Sequence, residues 1–307
     1  MGHYFVTGGA GFIGSHLVEH LLGNDHAVTV IDDFSTGRRE NLPTHPRLAV
    51  IEADILRFAA DQFSQRFDGL VHLAALPSVN DSWAELQRAH ELNLTATLRV
   101  IEWARSLGIP RFAYASSAAV YGDPVRVPVQ EDDVTLPLSP YGLQKLAGEH
   151  YGRLLARKGE LKFVALRFFN VFGPRQVATS PYSGVISKFA ASFRAGRSIT
   201  INGDGSQTRD FVYVADLVHG IVQALSVAKL PTFAVCNLGT GRSVSIGQLA
   251  DILRTLFPDW KGKIENGPAL PGDITHSQAS VAAAQSLLGY RPDVSLEAGL
   301  AKLLAAA

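Results

Sequence analysis

The amino-acid sequence predicts a protein of the α/β class, in which helices cover both faces of a parallel sheet. Short apolar runs alternate with helical patterns through the first half of the 307-residue chain. In addition, the first apolar run, at residues 3–7, breaks into Gly8, Gly11 and Gly14 before apolar residues resume at helical spacing. Together these observations predict a Rossmann-type doubly wound parallel sheet, joined to a smaller α+β domain.

The glycine-rich turn predicts a dinucleotide site. Gly8 permits the turn, Gly11 lets a phosphate approach the backbone, and Gly14 lets the helix pack on the strand. Bare N–H groups and the positive end of the helix dipole favour a pyrophosphate there. Asp32 closes the next apolar run, where a carboxylate binds ribose hydroxyls and repels a 2′-phosphate. We therefore predict NAD, in preference to NADP, as the cofactor.

Further NAD contacts are predicted beside these residues. Two of them, Phe12 and Ile13, lie between Gly11 and Gly14. The others form the loop after Asp32: Asp33, Phe34, Ser35, Thr36 and Gly37.

Composition excludes several classes of protein. The chain has 28 basic and 28 acidic residues, so bulk charge gives no reason to expect a nucleic-acid or membrane-surface partner. The single cysteine, Cys236, excludes an intrachain disulfide framework and suits a reducing cytoplasm. Since no apolar run reaches membrane-spanning length and the N-terminal residues read as a core strand, we expect a cytoplasmic protein.

The other elements of the first half follow in order. Further strands are predicted at 28–31, 48–52, 70–73, 112–116 and 163–166, and helices at 85–107 and 140–157. Ser139 is placed to cap the second helix, with Pro140 at its first position.

Polar and small residues follow several strand ends, at the sheet edge where ligands bind. Asp54, with Ile55, is either an adenine contact or a solvated loop acid. In the segment Leu73, Ala74 and Ala75, the two small alanines allow a cofactor to approach the backbone closely. The polar loop 76–82 is suited to touching a substrate, through Ser78 and Ser82, whereas Asn93 either contacts the cofactor or ties down a neighbouring loop.

Short strands and helices mix in the second half. They are predicted at 185–195, 199–201, 216–225, 246–256, 281–287 and 296–304. We predict an NAD-binding domain at 1–170, rejoined by about 233–250, and a substrate-binding domain at 171–307.

Three residues predict proton chemistry. Tyr141 and Lys145 lie four apart on one helix face, and Ser117 ends the preceding strand. A free phenol titrates near pH 10, and a nearby ammonium together with a positive nicotinamide favours the phenolate. We predict Tyr141 as the base, assisted by Ser117 and Lys145, in a site without a metal.

The chain resembles the extended short-chain dehydrogenase/reductase family, and more narrowly its UDP-sugar 4-epimerases, over essentially its whole length. The resemblance is carried by the glycine motif, Asp32, the Asp54 pair, the Ser116–Ser117 strand end, Tyr141 with Lys145, and two later segments at 166–174 and 202–212. It implies an isomerase that removes hydride from the sugar C4, forms a 4-keto sugar, and returns hydride to the other face.

The resemblance also implies the remaining site residues. Ser116 and Phe169 are expected beside NAD. The expected UDP-sugar contacts are Asn170, Val185, Thr200, Asn202, Arg209, Asp273 and Ser277. Arg209 is expected to pair with the diphosphate, or alternatively with Asp204 or Asp210. Leu270 stands where similar proteins often carry a second diphosphate-binding arginine. Family members usually dimerise through the helices at 85–107 and 140–157, so a homodimer is expected.

Ser277 is expected at the position that decides the sugar. In similar enzymes a tyrosine there restricts the substrate to UDP-glucose and UDP-galactose, whereas a small residue admits an N-acetyl group. The resemblance therefore favours interconversion of UDP-N-acetylglucosamine and UDP-N-acetylgalactosamine, with UDP-glucose possible as a slower substrate. The alternative role for Ser277 is to cap the following helix.

Other functions compete with C4 epimerisation of a neutral UDP-hexose. Dehydratases and decarboxylases of the family carry acids directly after the strand-end serine, where this chain has Ala118 and Ala119. A UDP-glucuronate 4-epimerase or another sugar-nucleotide oxidoreductase stays open. A non-enzymatic NAD-binding protein would lose the Ser117, Tyr141 and Lys145 set, which is intact here.

Overall fold

The computed structural model describes residues 1–159, 161–176, 184–269 and 274–306. Its strands are β1 (His3–Thr7), β2 (Ala27–Asp32), β3 (Leu48–Glu52), β4 (Gly69–His72), β5 (Arg111–Ser117), β6 (Lys162–Phe168), β7 (Asn170–Phe172), β8 (Ile199–Asn202), β9 (Thr208–Arg209), β10 (Phe211–Tyr213), β11 (Phe233–Leu238), β12 (Val244–Ser245) and β13 (Ile264–Gly267). Its helices are α1 (Phe12–Gly23), α2 (Val79–Ala84), α3 (Leu86–His90), α4 (Ala96–Ser106), α5 (Pro140–Ala156), α6 (Val185–Arg194), α7 (Val214–Ser226), α8 (Ile246–Leu256), α9 (Ala282–Leu288) and α10 (Leu296–Ala305).

Seven of the described strands form one parallel sheet in the order β11-β6-β5-β4-β1-β2-β3. The chain runs outward from β1 to β3 and then returns to place β4 on the other side of β1. This reversal opens a crevice at the carboxyl ends of β1 and β4, where ligands bind in such sheets. The predicted Rossmann-type fold is therefore confirmed.

The two faces of the sheet pack against different helices. Phe5 and Tyr114 point into a core shared with α4, whereas the adjacent Val6 and Ala113 point into a core shared with α1 and α7. Because successive side chains of a strand alternate, strands buried on both faces read as continuous apolar runs. This is why the strands stand out in the sequence.

The second half of the chain carries smaller sheets beside the main one. Parallel pairs join β7 to β10 and β8 to β13, and an antiparallel pair joins β9 to β12. Strand β11 returns to the main sheet beside β6, with Phe233 opposite Phe163 and Leu238 opposite Phe168. The division at residue 170 into two domains stays a prediction.

Two predicted elements differ from the structure. The loop predicted at 76–82 is partly helical, because the Ser78 hydroxyl accepts from Asp81 N at 3.1 Å and caps α2. The single helix predicted over 85–107 is instead α3 and α4 joined by a π-helical turn at Glu91–Thr95. Asn93 lies in this turn, where its amide reaches across to another loop.

The described residues include no helix long and apolar enough to cross a membrane. Nor do they contain a cluster of three or more potential metal ligands. Cys236 is fully buried in the core, as its apolar surroundings in the sequence predict.

Candidate active site

The glycine turn has the geometry that a bound pyrophosphate requires. Gly8 has a φ of +71°, and its N–H donates to Ile31 O at 2.9 Å. A Cβ on Gly14 would collide with Gly8 O and lie 2.7 Å from Gly9 Cα, so helix and turn meet there through backbone alone. Gly11 is the N-cap of α1 and provides no capping side chain, which leaves the first N–H groups of the helix available to an anion.

Asp32 ends β2 beside this turn, with 8% of its surface exposed. Its Oδ2 accepts from Ala10 N and its Oδ1 from Phe34 N, each at 2.9 Å. Burial raises the pKa of this carboxyl and the two backbone bonds lower it. A carboxylate accepts about four hydrogen bonds. Asp32 therefore fixes the turn and still has capacity for ribose hydroxyls.

The loop after Asp32 is locally ordered. The Asp33 carboxylate accepts from Ser35 N at 3.0 Å and from Ser35 Oγ at 2.6 Å, which closes a tight turn. Thr36 is exposed, while Gly37 is buried so closely against Ala10 and Asp32 that a Cβ would lie 3.0 Å from each.

Asp54 and Ile55 follow β3 at the same edge of the sheet. Asp54 accepts from Leu56 N at 2.8 Å, and its side chain is 37% exposed, beside Arg57. Ile55 packs into the core next to α4. Asp54 is thus an ordered loop acid whose Oδ2 lies 3.7 Å from Arg57 Nε, and the adenine contact stays a prediction.

The loop after β4 lies directly against the glycine turn. A Cβ on Gly8 would be 2.7 Å from Ala74 N, and Leu73 N donates to Thr7 O at 3.1 Å. Asn93 holds the far end of this loop, because its amide accepts from Leu76 N at 2.7 Å and donates to Leu76 O at 3.2 Å. Of the two roles foreseen for Asn93, the structure gives it the one of tying down the loop. Ala75 lies between the two fixed points.

Ser117 and Tyr141 meet in a cleft at the carboxyl end of β5. The Ser117 hydroxyl accepts from Ala119 N at 3.2 Å, and it lies close enough to the Tyr141 phenol to influence its pKa. Gly142 lets α5 approach this turn closely, since a Cβ there would lie 2.5 Å from Ala119 O. Ser139 caps α5 by accepting from Gly142 N at 3.1 Å, with Pro140 in its first turn, as predicted.

Lys145 lies behind Tyr141, with 2% of its surface exposed. Its Nζ is 5.1 Å from the centre of the Tyr114 ring and 5.8 Å from that of Tyr141. Burial lowers the pKa of Lys145 to about 7. A buried ammonium facing aromatic rings needs hydrogen-bond acceptors, which ribose hydroxyls would provide.

In the protein alone, burial raises the pKa of Tyr141 and the nearby Ser117 hydroxyl lowers it, with a net rise. The lowered pKa was predicted for Lys145 acting together with a bound nicotinamide, and it stays a prediction. A bound nicotinamide would add a positive charge beside the phenol, which favours the phenolate.

Three predicted contacts use their polar groups within the protein. Ser116 Oγ donates to Glu149 Oε1 at 2.5 Å and is buried, so its hydroxyl is committed away from the cofactor crevice. Ser78 caps α2. Ser82 donates to Val79 O at 2.6 Å and accepts from Tyr141 N at 3.1 Å, and it therefore fixes the backbone of the base.

Several of the expected sugar-nucleotide contacts line the same cleft. They are Asn170, Arg209 and Ser277, and Phe169, which was expected beside NAD, lines it as well. Arg209 Nη1 donates to Thr208 O at 2.9 Å and to Ile274 O at 2.7 Å, which aims the guanidinium along the cleft wall. Asp210, suggested as its partner, instead accepts four hydrogen bonds from Thr240, Gly241 and Ala279. Asp204 accepts from Ser206.

The remaining expected contacts lie elsewhere. Val185 opens α6, and Thr200 and Asn202 lie on β8, which packs against α6; these three are not part of the cleft wall that holds Tyr141. Asp273, Leu270 and Gly272 lie outside the described residues. Ser277 does not cap α9, since the N-cap of that helix is Val281.

Sequence reasoning missed part of the cleft wall. Val79 lies in the loop 76–82 that was predicted to touch the substrate. Residues that line the cleft without having been predicted as site residues are Ala118, Ala119, Tyr121, Gly122, Pro124, Val129, Phe168 and Ile274. Most are apolar or backbone contacts, for which spacing and residue type give no signal. Tyr121 was the one with a usable signal, because its phenol follows Ser117 by four residues at the end of β5.

The residues present fit an NAD molecule. The bare N-terminus of α1, the open face of Gly11, the carboxylate of Asp32 and the buried ammonium of Lys145 are arranged along one edge of the sheet. They match the groups of a dinucleotide: pyrophosphate, adenosine ribose and nicotinamide ribose.

Comparison with known proteins gives consistent matches. Residues 4–239 match the model of the NAD-dependent epimerase/dehydratase family. The chain is 36% identical over 307 residues to a UDP-glucose 4-epimerase of Mycolicibacterium smegmatis, covering 97% of this chain and 96% of that protein.

Two solved structures are similar over nearly their full length. One is a UDP-N-acetylglucosamine 4-epimerase from Methanobrevibacter ruminantium M1 in complex with UDP-N-acetylmuramic acid, with TM-score 0.94, 36% identity, and 99% and 97% of the two chains covered. The other is a UDP-glucuronic acid 4-epimerase from Bacillus cereus in complex with UDP-glucuronic acid and NAD, with TM-score 0.91, 33% identity, and 99% and 98% covered.

Proposed function

The chain belongs to the NAD-dependent epimerase/dehydratase family, and we propose that it inverts C4 of a UDP-hexose through a 4-keto intermediate. The predictions of an NAD-dependent isomerase and of NAD as its cofactor are confirmed by this family and these relatives. The observation that carries the proposal is that Ser117 and Tyr141 lie together in a cleft that Asn170 and Arg209 also line.

The residues divide the chemistry between them. Tyr141, as phenolate, takes the proton of the sugar 4-hydroxyl while the C4–H bond breaks, and it returns a proton when the carbonyl is reduced on its other face. Ser117 hydrogen-bonds the same oxygen, and Lys145 holds the nicotinamide ribose. Bound NAD⁺ supplies the hydride acceptor, the hydride donor of the return step, and a positive charge beside the phenol.

The same cleft disfavours dehydration and decarboxylation. Both reactions need an additional ionisable group beside the reacting carbons. Ala118 and Ala119 line the cleft at the positions where such acids stand in the related enzymes. No acid is among the described residues that line it.

For the sugar, we propose UDP-N-acetylglucosamine and UDP-N-acetylgalactosamine, with UDP-glucose as a slower substrate. Ser277 supports this choice, because it is a small residue in the cleft wall and 8% exposed. UDP-glucuronate is the second candidate, since a similar structure is a UDP-glucuronic acid 4-epimerase. Arg209 is the one cation among the described cleft residues, and we assign it to the diphosphate, which leaves a sugar carboxylate without a charged partner.

The test is C4 inversion with a panel of UDP-hexoses, using purified protein without added cofactor. We expect inversion of the N-acetylated pair to exceed that of UDP-glucose and of UDP-glucuronate. A higher rate on UDP-glucuronate would contradict the assignment of the sugar, and inversion of none of them would contradict the proposed activity.

We further propose a homodimer formed through α3 and α5. Large apolar side chains are exposed on these packed helices and on the neighbouring α2: Trp83 (64%), Leu86 (58%), Leu143 (58%) and Leu154 (57%). Exposed apolar side chains grouped in this way are typical of association surfaces. Light scattering after gel filtration should give twice the 33.0 kDa chain mass. Leu143→Glu should convert the dimer into the monomer, and a wild-type monomer would contradict the proposal.

A further inference from the structure

A buried ion pair lies directly beneath the catalytic residues, outside the cleft wall. The Arg167 guanidinium grips the Glu149 carboxylate through two bonds, from Nε to Oε1 at 2.9 Å and from Nη2 to Oε2 at 2.8 Å. The two side chains are 4% and 3% exposed. Because burying two charges costs more than a simple apolar contact would, such a pair calls for a reason beyond stability.

Glu149 joins the catalytic helix to the catalytic strand. It lies four residues after Lys145 and eight after Tyr141, which places all three on one face of α5. Its Oε1 also accepts from Ser116 Oγ at 2.5 Å, and Ser116 immediately precedes Ser117. The carboxylate therefore sets the separation between the helix that carries the base and the strand end that carries its hydrogen-bond partner.

Arg167 holds the other side of the Ser117 turn. It lies on β6 opposite Ser116 in the sheet register. Its Nη1 donates to Tyr121 Oη at 2.8 Å and to Glu131 O at 3.0 Å. Tyr121 follows the short turn that begins after Ser117. Arg167 therefore holds the end of that turn through Tyr121, and Glu149 holds its start through Ser116.

The same network reaches the sugar-binding wall of the cleft. Tyr121 Oη donates to Asn237 Oδ1 at 2.7 Å. Asn237 Nδ2 then donates to Val129 O at 3.0 Å and to Ser280 O at 3.3 Å. Val129 lines the cleft, and Ser280 lies three residues after Ser277. One continuous set of buried hydrogen bonds thus connects the helix that carries the base, the residue before its serine and the substrate wall.

We propose that Glu149 and Arg167 are positioning residues for the reaction: through Ser116, Tyr121 and Asn237 they hold Ser117 and Tyr141 at the separation that catalysis requires. This proposal rests on the proposed epimerase activity. Neither side chain is among the residues that line the cleft. Their effect is on the geometry of the reacting groups, where small displacements are costly in rate.

Two conservative variants test the proposal. Arg167→Lys keeps the charge and loses the two-pronged grip on Glu149. Tyr121→Phe keeps the ring and loses the hydroxyl that links Arg167 to Asn237. In each we expect kcat per folded molecule to fall about 10- to 100-fold, with the KM for UDP-sugar and the content of bound NAD close to wild type.

Tyr290→Phe is the matched control. Tyr290 is fully buried, and its hydroxyl donates to Gly239 O at 2.9 Å, outside the network and the cleft wall. We expect this variant to lose thermal stability while keeping the wild-type kcat. The control thus separates the general effect of losing a buried tyrosine hydrogen bond from the effect of losing the Tyr121 hydroxyl that links Arg167 to Asn237.

The outcomes distinguish the two proposals. A wild-type protein that inverts no UDP-hexose would refute the proposed function. If the wild type is active and both variants keep its kcat, or lose it only in proportion to unfolding as Tyr290→Phe does, the positioning role of Glu149 and Arg167 is wrong. A rise in KM at unchanged kcat would also contradict the positioning role, because it would show weaker binding of the UDP-sugar and not a changed geometry of the reacting groups.

Discussion

Tyr141→Phe is the perturbation that most directly isolates the proton chemistry of the cleft. The variant keeps the aromatic ring and removes one hydroxyl, which lies beside Ser117. Ser117 retains its bond from Ala119 N, so the turn that carries it is still fixed. Loss of one hydrogen bond costs about 1 kcal/mol of stability, so we expect the variant to fold.

The expected loss in rate is much larger than the loss in stability. Removing a positioned proton acceptor lowers the rate by about 10²-fold or more. This corresponds to about 2.7 kcal/mol of the activation barrier, at about 1.4 kcal/mol for each tenfold change. Binding of NAD and of UDP-sugar should change little, because the lost group forms its important bond only as the proton moves.

The assay is chromatographic separation of the two UDP-hexoses at saturating substrate, with bound NAD measured on the same preparation. Tyr213→Phe serves as control, since that phenol is buried but lies outside the cleft. If Tyr141→Phe keeps about a tenth of the wild-type rate or more, the assignment of Tyr141 as the base is wrong.

Three further predictions concern other parts of the site. Asp32→Ala should release NAD during purification and relax discrimination against NADP, because the ribose acceptor and the repulsive charge are lost together; unchanged NAD content and unchanged rejection of NADP would show a merely structural acid. Ser277→Tyr should reduce inversion of the N-acetylated sugars far more than that of UDP-glucose, because a bulky ring excludes the larger substituent, and an equal fall in both rates would remove the support for Ser277 as the selective residue. His72, whose pKa burial lowers from 6.5 to about 3, must stay neutral in the fold, so the unfolded chain binds more protons between these values and stability falls as pH falls from 6.5 towards 3. Denaturant titrations should show a smaller loss over that range for His72→Gln, and an identical loss would contradict the reasoning.

The sequence was sufficient where the chemistry is local. The glycine turn, Asp32 and the Tyr141–Lys145 pair each depend on residues that are close along the chain or joined by one strand or helix. Their backbone conformations restrict the residue type, as the positive φ of Gly8 requires a glycine, so the sequence shows them directly. For these features the predicted geometry and the structure agree.

The sequence was insufficient where a polar residue had two possible partners. Ser116, Ser82 and Asn93 all suited a ligand by residue type and position. Their actual partners, Glu149, the Tyr141 backbone and the Leu76 backbone, are separated from them by 33, 59 and 17 residues. Only the packing of helices on the sheet decides between an internal bond and a ligand, and spacing along the chain does not report it.

The Arg167 network shows the same limitation from the other side. Arg167 was noted only as part of the segment 166–174 that resembles the family, and Glu149 was not predicted to have a role. Neither has a motif of its own, because their importance comes from the meeting of α5, β5 and β6 in space. The sequence alone does not show that two charged residues 18 positions apart form a buried ion pair.

The most direct test of the central claim follows the hydrogen at C4. Purified protein, without added cofactor, is given UDP-N-acetylglucosamine that carries deuterium at C4, in ordinary water. We predict UDP-N-acetylgalactosamine that retains the deuterium at C4, because the hydrogen removed from one face returns to the other without exchanging with solvent. Product that has lost the label to water, or no inverted product at all, would contradict epimerisation by internal hydride return.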